Sequence, residues 1–354
     1  MPEQKIRLAV LFGGRSGEHD VSCKSAASIL TNLDRRRYDI VPVRIGRDGV
    51  WATAPAVPEL DSIEAALEWQ RAGFPLPDHA TPAGSVLATM RELQRCDVAF
   101  PALHGPYGED GRLQALLDGF GIPFVGNGVA ASALSMDKEY TKKIAASIGL
   151  EVAASVVLRD TEREVSSADR ERLGLPVFVK PAREGSSIGV SRVDDWAELP
   201  AAVDAARKSD GKVLVEAAVT GREIDMGVLE RPGGELAVSP PMEILTSDAY
   251  SFFDYTAKYG DPTTVLDVPA AVDPAVTEAL GHDAVRLFRA LECSGLLRVD
   301  FFLREDGSRV VNEVNTFPGF TSASQYPRMW QAAGLGYGDL LDVLVDTALW
   351  HARQ

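Results

Sequence analysis

The chain has 354 residues, 45% of them hydrophobic and 25% charged, enough for two or three globular domains with sizeable cores. A formal net charge of -15 argues against a broad nucleic-acid footprint, although a few local cations could still hold an anionic ligand. No stretch approaches the roughly 20 apolar residues of a membrane span, and three scattered cysteines, Cys23, Cys96 and Cys293, suggest neither a disulfide framework nor a zinc site.

The N-terminus runs into a strand without the basic, apolar and small-residue succession of a secretory signal, so a reducing cytoplasm is the expected compartment. Ile6 to Phe12 reads as a buried parallel strand, and Gly13-Gly-Arg-Ser-Gly-Glu-His-Asp20 leads into a helix from near Val21 or Ser22. Between Ile45 and Arg95 lies an Ala- and Pro-rich insertion with a helix around Ile63 to Arg71 and no functional reading. Strand Asp97 to Leu103, a glycine loop from His104 to Gly111, helix Arg112 to Phe120 and strand Pro123 to Val125 continue an open α/β domain. In such sheets, ligands bind at the carboxyl ends of the strands. A helix over Asp137 to Ile148 follows, capped by Gly149. Strands at Val152 to Leu158, Pro176 to Pro181, Gly189 to Val193 and Lys212 to Ala217, with a helix around Trp196 to Ser209, describe a small antiparallel α+β module. Strands at Ile224 to Leu229 and Glu235 to Pro241, a helix from about Pro274 to Cys293 and a C-terminal hairpin make a third unit.

That hairpin pairs Leu296 to Leu303 with Arg309 to Asn315 across Arg304-Glu-Asp-Gly-Ser308, which carries an Asp-Gly turn signal. Setting Arg304 against Arg309 places Asp300 opposite Glu313 and Arg298 opposite Asn315, all on one face. Two carboxylates roughly 5 Å apart repel unless a cation lies between them. Asp, Glu and Asn supply only oxygen ligands, which suits Mg²⁺; an acidic hairpin facing solvent reads the same way.

Lys180 ends an apolar strand and is followed by Pro181-Ala-Arg-Glu-Gly-Ser-Ser-Ile-Gly189, whose small residues and the hydroxyls of Ser186 and Ser187 could meet phosphate oxygens. The order of a Walker A loop is absent, and a surface hairpin has the same composition. Glu216 ends another apolar strand, with Glu223 seven residues on as an acceptor for a diol, or both as solvent-facing charges. Tyr250, Phe252, Phe253, Tyr255 and Tyr259 crowd the segment 246–262, as a lid over a ligand or as core filler. Gly319 and Ser324 follow the hairpin and could supply a backbone donor and a hydroxyl to an anion. Glu18 could hold an ammonium or simply favour the helix dipole, and His104 could be a site residue or bond its own loop.

Taken in order, Lys138, Lys180 with its glycine-serine loop, Glu216 to Glu223, Arg298-x-Asp300 and Glu313-x-Asn315 resemble the ATP-grasp superfamily. Gly13 to Ser22, Leu103 to Gly111, Leu134-Ser-Met-Asp-Lys138, Lys180 to Ser187 and Glu313-Val-Asn-Thr-Phe-Pro-Gly-Phe-Thr321 resemble the D-alanine:D-alanine ligases over nearly the whole chain. The resemblance implies a three-domain α/β and α+β architecture. An N-terminal open α/β domain (1–134) would bind the first D-alanine, and two α+β modules (135–220 and 221–354) would clamp ATP.

It further implies roles for single residues. Lys138, Lys180 and Lys258 would contact phosphates; Glu216, Ala217 and Val219 the adenine; Glu223 the ribose; Phe178 and Phe252 the base pocket; Asn312 would join the nucleotide set. Asp300, Glu313 and Asn315 would hold two Mg²⁺ ions, with Mn²⁺ as a substitute. Glu18 would bind the first D-alanine's ammonium and link to Ser186 and Tyr259; Arg298 and Gly319 would form the oxyanion site; Ser324 would take the second D-alanine's carboxylate. The implied reaction is dipeptide formation through D-alanyl phosphate for peptidoglycan synthesis, by a homodimer that binds neither membrane nor nucleic acid. A D-alanine:D-lactate ligase and a non-catalytic nucleotide sensor are the alternatives, and Tyr259 argues against the first. Gln325 stands where relatives usually carry an aliphatic residue.

Overall fold

A computed structural model describes residues 4–54, 56–74, 81–245 and 265–354. Strand β1 (Ile6–Gly13), helix α1 (His19–Asn32), strands β2 (Tyr38–Ile45) and β3 (Trp51–Thr53), helices α2 (Ile63–Ala72) and α3 (Pro82–Leu93), strand β4 (Val98–Pro101) and helix α4 (Arg112–Gly119) form the first domain. Its sheet runs β3-β2-β1-β4, parallel except for β3. The 123–125 segment reaches this sheet only as a bridge from Phe124 to Ala99. The insertion between Ile45 and Arg95 proves to be structural. Trp51, Met90 and Leu93 enter the core on one side of the sheet, and Ala52, Val57 and Phe74 enter the core on the other. Burying those side chains gives the small sheet a cover it would otherwise lack.

Helices α5 (Val129–Met136) and α6 (Lys138–Ser147) lead to β5 (Glu151–Val152). The single strand expected over 152–158 is two strands in two sheets, because the chain crosses from one sheet to the other at Ala153-Ala154. From there β6 (Ser155–Leu158), α7 (Ser167–Leu173), β7 (Val177–Pro181), β8 (Ser191–Val193), α8 (Leu199–Arg207) and β9 (Val213–Ala217) build a small antiparallel lobe, order β6-β9-β7-β8. Its core, including Val177, Val179, Leu199, Val203 and Val215, is its own.

The large sheet comprises β10 (Arg222–Glu230), β11 (Leu236–Val238), β12 (Met242–Leu245), β13 (Val265–Asp267), β14 (Leu296–Leu303) and β15 (Arg309–Asn315), with β5 at its edge. Helix α9 (Pro274–Ala290) and α6 pack on it, and Ala145, Leu280, Leu287 and Val311 share one core. Helices α10 (Gln325–Ala332) and α11 (Tyr337–His351) close the chain, and their Met329, Trp330, Leu340 and Leu344 lie in the same core as Leu8, Phe12 and Phe100 of the first domain. The first domain and the large sheet are thus fused by apolar burial, whereas the small lobe rests on them with a separate core. No helix among the described residues is long and apolar enough to cross a membrane.

Candidate active site

The small lobe and the large sheet enclose a cavity of about 320 Å³. Lys180, Phe178, Glu216, Ala217 and Val219 line it from the lobe, and Glu223, Arg298, Asp300, Asn312 and Glu313 from the large sheet, with Lys138 between them. Three candidates from the aromatic segment, Phe252, Lys258 and Tyr259, lie outside the described residues, as do Tyr250, Phe253 and Tyr255.

The hairpin register explains how the acidic face forms. Pairing begins at Leu303 with Arg309, one residue off the Arg304 pairing expected from the turn, and a bulge between Asp300 and Phe301 then shifts the ladder. Beyond the bulge, Asp300 stands opposite Glu313 and Arg298 opposite Asn315. The extra residue, Asn312, turns into the cavity beside Glu313.

Arg298 is buried and grips Asp300 with both ends of one edge, Nε to Oδ1 at 2.7 Å and Nη2 to Oδ2 at 2.8 Å. Burial opposes its charge, but Asp300 and Asp225 outweigh this and hold its pKa up. Asn315 donates to Asp300 Oδ2 at 3.1 Å, and Lys138 Nζ lies 3.5 Å from Glu313 while donating to the Glu184 carbonyl at 2.7 Å. Among the described residues no group of three or more His, Cys, Asp or Glu side chains gathers as a metal site. Two carboxylates and an amide, all oxygen donors on one face, nonetheless fit a hard divalent cation that draws its other ligands from phosphate and water.

Across the cavity Lys180 Nζ donates to Glu216 Oε1 at 2.7 Å, while Lys142 Nζ approaches Oε2 at 2.5 Å. Burial pushes the Glu216 carboxyl up, but the two lysines prevail and hold it below its usual range. In the adjoining loop Ser186 and Ser187 both have positive φ, 51° and 57°, a strained pair of the kind that clusters at ligand sites.

Ser186 also reaches the first domain, where its hydroxyl donates to Glu18. Glu18 sits at the head of α1, behind the loop that carries Gly105. Glu109 joins it, accepting from the Gly105 N–H at 2.6 Å and the Phe317 N–H at 3.2 Å. Desolvation and neighbouring Glu18 push the Glu109 carboxyl up to about 8. A carboxylate at Glu18 suits a primary ammonium, while both Glu109 oxygens are engaged by backbone N–H groups. His104 bonds neither its own loop nor the cavity: its Nδ1 faces the Phe317 carbonyl at 3.1 Å and its Nε2 meets Ser25 at 2.8 Å. Ser324 stands just before α10 without a side-chain bond to its first turn; its Oγ accepts the Thr321 N–H at 3.0 Å, and a Cβ at Gly319 would lie 3.3 Å from the same oxygen.

Three residues escaped the sequence reading. Lys142 lies one helical turn after Lys138, so it shares that face. Glu109 sits inside the glycine loop already singled out. Asp225, almost wholly buried on β10, faces Asp300 across the sheet and accepts from Gln325 Nε2 at 2.7 Å. Gln325 in turn accepts from Arg298 Nη1 at 2.9 Å, so its side chain bridges the two. A charged residue inside an apolar strand was the only signal for Asp225.

Two lobes facing each other across a lysine- and carboxylate-lined cavity, with an α/β domain feeding a loop into one end, define the ATP-grasp class. Family models described as "D-ala D-ala ligase N-terminus" and "D-ala D-ala ligase C-terminus" match residues 7–127 and 144–346, and the chain belongs to the D-alanine–D-alanine ligase family. A D-alanine–D-alanine ligase of Mycobacterium sp. (strain JLS) is 51% identical over 366 residues, covering 98% of this chain and 97% of the relative. Among solved structures, the VanG D-Ala:D-Ser ligase from Enterococcus faecalis superposes with a TM-score of 0.82 at 35% identity, covering 98% of this chain and 100% of that one. The Bacillus anthracis D-alanine–D-alanine ligase complexed with ATP gives 0.76 at 28% identity, covering 98% and 99%.

Proposed function

We propose that the protein joins two D-alanines in an ATP-driven reaction, yielding D-alanyl-D-alanine, ADP and phosphate for cell-wall precursor synthesis. The observation that carries this reading is the single cavity in which Lys180 and Lys138 face Asp300 and Glu313, with the Arg298 guanidinium on the same wall. The mycobacterial relative's name and the ATP bound to the Bacillus anthracis structure support it.

In this reading the ammonium of the first D-alanine lies against Glu18, which Ser186 fastens to the small lobe. A carboxylate oxygen of that D-alanine attacks the γ-phosphorus and ADP departs, leaving D-alanyl phosphate. The amine of the second D-alanine, with its carboxylate at Ser324, then attacks the carbonyl carbon; a proton leaves the nitrogen and phosphate departs. Lys138 and Lys180 offset the phosphate charge, and Arg298 with the Gly319 amide meets the oxyanion of the tetrahedral intermediate. Mg²⁺, or Mn²⁺ in its place, held by Asp300, Glu313 and Asn315, would neutralise the transferring phosphoryl oxygens. Phe178 and Val219 would flank the base, Glu216 and Ala217 its polar edge, Glu223 the ribose, and Asn312 the nucleotide's metal-facing side. Positioning and charge supply the catalysis. The reading places the enzyme in the cytoplasm as a homodimer.

Phosphate release with D-alanine alone, compared with D-alanine plus D-lactate or D-serine across pH 6 to 8, tests the product class. Dipeptide from D-alanine alone should dominate at neutral pH. Preferential ester formation with D-lactate would replace this reading by the depsipeptide one.

A further inference from the structure

Glu216 has two cations where one would neutralise it. Lys180 Nζ donates to Oε1 at 2.7 Å and Lys142 Nζ sits 2.5 Å from Oε2. The side chains of Glu216 and Lys142 are only 5% and 6% exposed. The two lysines differ in what they face. Lys180 and Glu216 line the cavity, whereas Lys142 is not among its lining residues and stands behind the carboxylate. They also differ in what carries them. Lys180 belongs to β7 of the small lobe, beside the strained serine loop, while Lys142 belongs to α6, whose Ala145 is fixed in the core of the large sheet.

A buried carboxylate with a single lysine cannot release it to a ligand without being left as an uncompensated charge, which is strongly unfavourable. We infer that Lys142 is a positioning residue of the nucleotide site: as the standing partner of Glu216, it allows Lys180 to leave that carboxylate for a ligand phosphate. Lys142 touches no ligand itself. Burial lowers the Lys142 pKa, Glu216 opposes that, and the nearby Lys180 and Lys138 charges add to the lowering, so the net direction is down and Glu216 is what favours the ammonium form. The inference rests on Lys180 meeting the phosphates of ATP, as in the reading above.

The test compares ATP binding and steady-state kinetics of the full-length enzyme with Lys142→Met, Lys142→Arg, Glu216→Gln, Lys142→Met/Glu216→Gln and Lys180→Met. Lys142→Met should raise the KM and Kd for ATP at least about tenfold, with kcat within about threefold, since Lys180 then stays bound to Glu216. Lys142→Arg should restore the affinity. In the Glu216→Gln background, where no carboxylate is left for Lys142 to compensate when Lys180 departs, adding Lys142→Met should change the ATP KM by less than about twofold. That comparison stands even if Lys142→Met alone does not fold. Unchanged ATP affinity in Lys142→Met, or an equally large effect in both backgrounds, would overturn the inference. Lys180→Met separates the two levels: if it leaves ATP affinity unchanged, the nucleotide reading itself fails, whereas a loss there with none in Lys142→Met rejects only the role of Lys142.

Discussion

Asp225 faces Asp300 directly across the β10–β14 ladder, and both are buried. Burial, followed by the Asp300 charge, raises the Asp225 pKa well above the usual carboxylate range. The arrangement holds because Arg298 binds Asp300 and lies 3.5 Å from Asp225, with the Gln325 amide spanning the remaining gap. Gln325→Leu removes both ends of that bridge. Unfolding stability should fall by about 1–3 kcal/mol, the range for a buried polar group deprived of its partner. Since Arg298, which meets the oxyanion, loses a tether, kcat should fall severalfold while the KM for ATP stays put. Urea denaturation and two-substrate kinetics read the two effects separately.

Asp300→Asn should reduce turnover by at least about a hundredfold, comparable to losing one preorganised group that stabilises transition-state charge. The fold should survive, because an amide of the same shape can still accept from Arg298. Saturating kcat and far-ultraviolet circular dichroism on the same preparation check both parts. Wild-type turnover would remove Asp300 from the chemistry.

Two glycines shape the pocket around Glu18. A Cβ on Gly105 would lie 2.4 Å from Glu18 Oε2, and a Cβ on Gly185 would lie 2.9 Å from the same oxygen. Gly105 also has a φ of 72°, in the left-handed region. Both alanine variants should raise the KM for the first D-alanine. Gly105→Ala should in addition lose about 1–2 kcal/mol of stability from its backbone conformation, whereas Gly185→Ala should not. Thermal unfolding beside D-alanine titrations distinguishes them.

His104 makes an acid-sensitive joint between the first domain and the segment after β15. Burial lowers its pKa to about 4, although the Phe317 carbonyl pulls the other way. A folded-state pKa below the unfolded value of about 6.5 means the neutral ring's contribution is complete above pH 6.5. It is lost as pH falls towards 4, by an amount on the order of 3 kcal/mol. Denaturant titrations between pH 4.5 and 7.5 should show that slope in the wild type and a flatter one in His104→Leu.

Much of this site is legible from sequence because its key pairs are local. The Asp-Gly turn and strand alternation bring Asp300 to Glu313, although the bulge at Asn312 and the one-residue offset at the turn are not readable and happen to cancel. Lys180, its glycine-serine loop and Glu216 likewise lie at strand ends that hydrophobic runs mark out. What remained hidden depends on long-range register. Asp225 acquires its meaning only when β10 pairs with β14, some 75 residues on. The same holds for the crossing at Ala153-Ala154 and for the insertion, whose Trp51, Phe74 and Met90 are recognisable as core only once the sheet they cover exists. Gln325 is visible as a departure from the family pattern, but its side-chain bridge forms only when α10 packs beside Asp225 of β10 and Arg298 of β14.

Ligation through D-alanyl phosphate is tested most directly by isotope transfer. D-alanine labelled with ¹⁸O in its carboxylate, incubated with ATP and Mg²⁺, should yield dipeptide, ADP and phosphate carrying one labelled oxygen for each dipeptide formed. Unlabelled phosphate, or AMP and pyrophosphate in place of ADP, would contradict the mechanism assigned to this cavity.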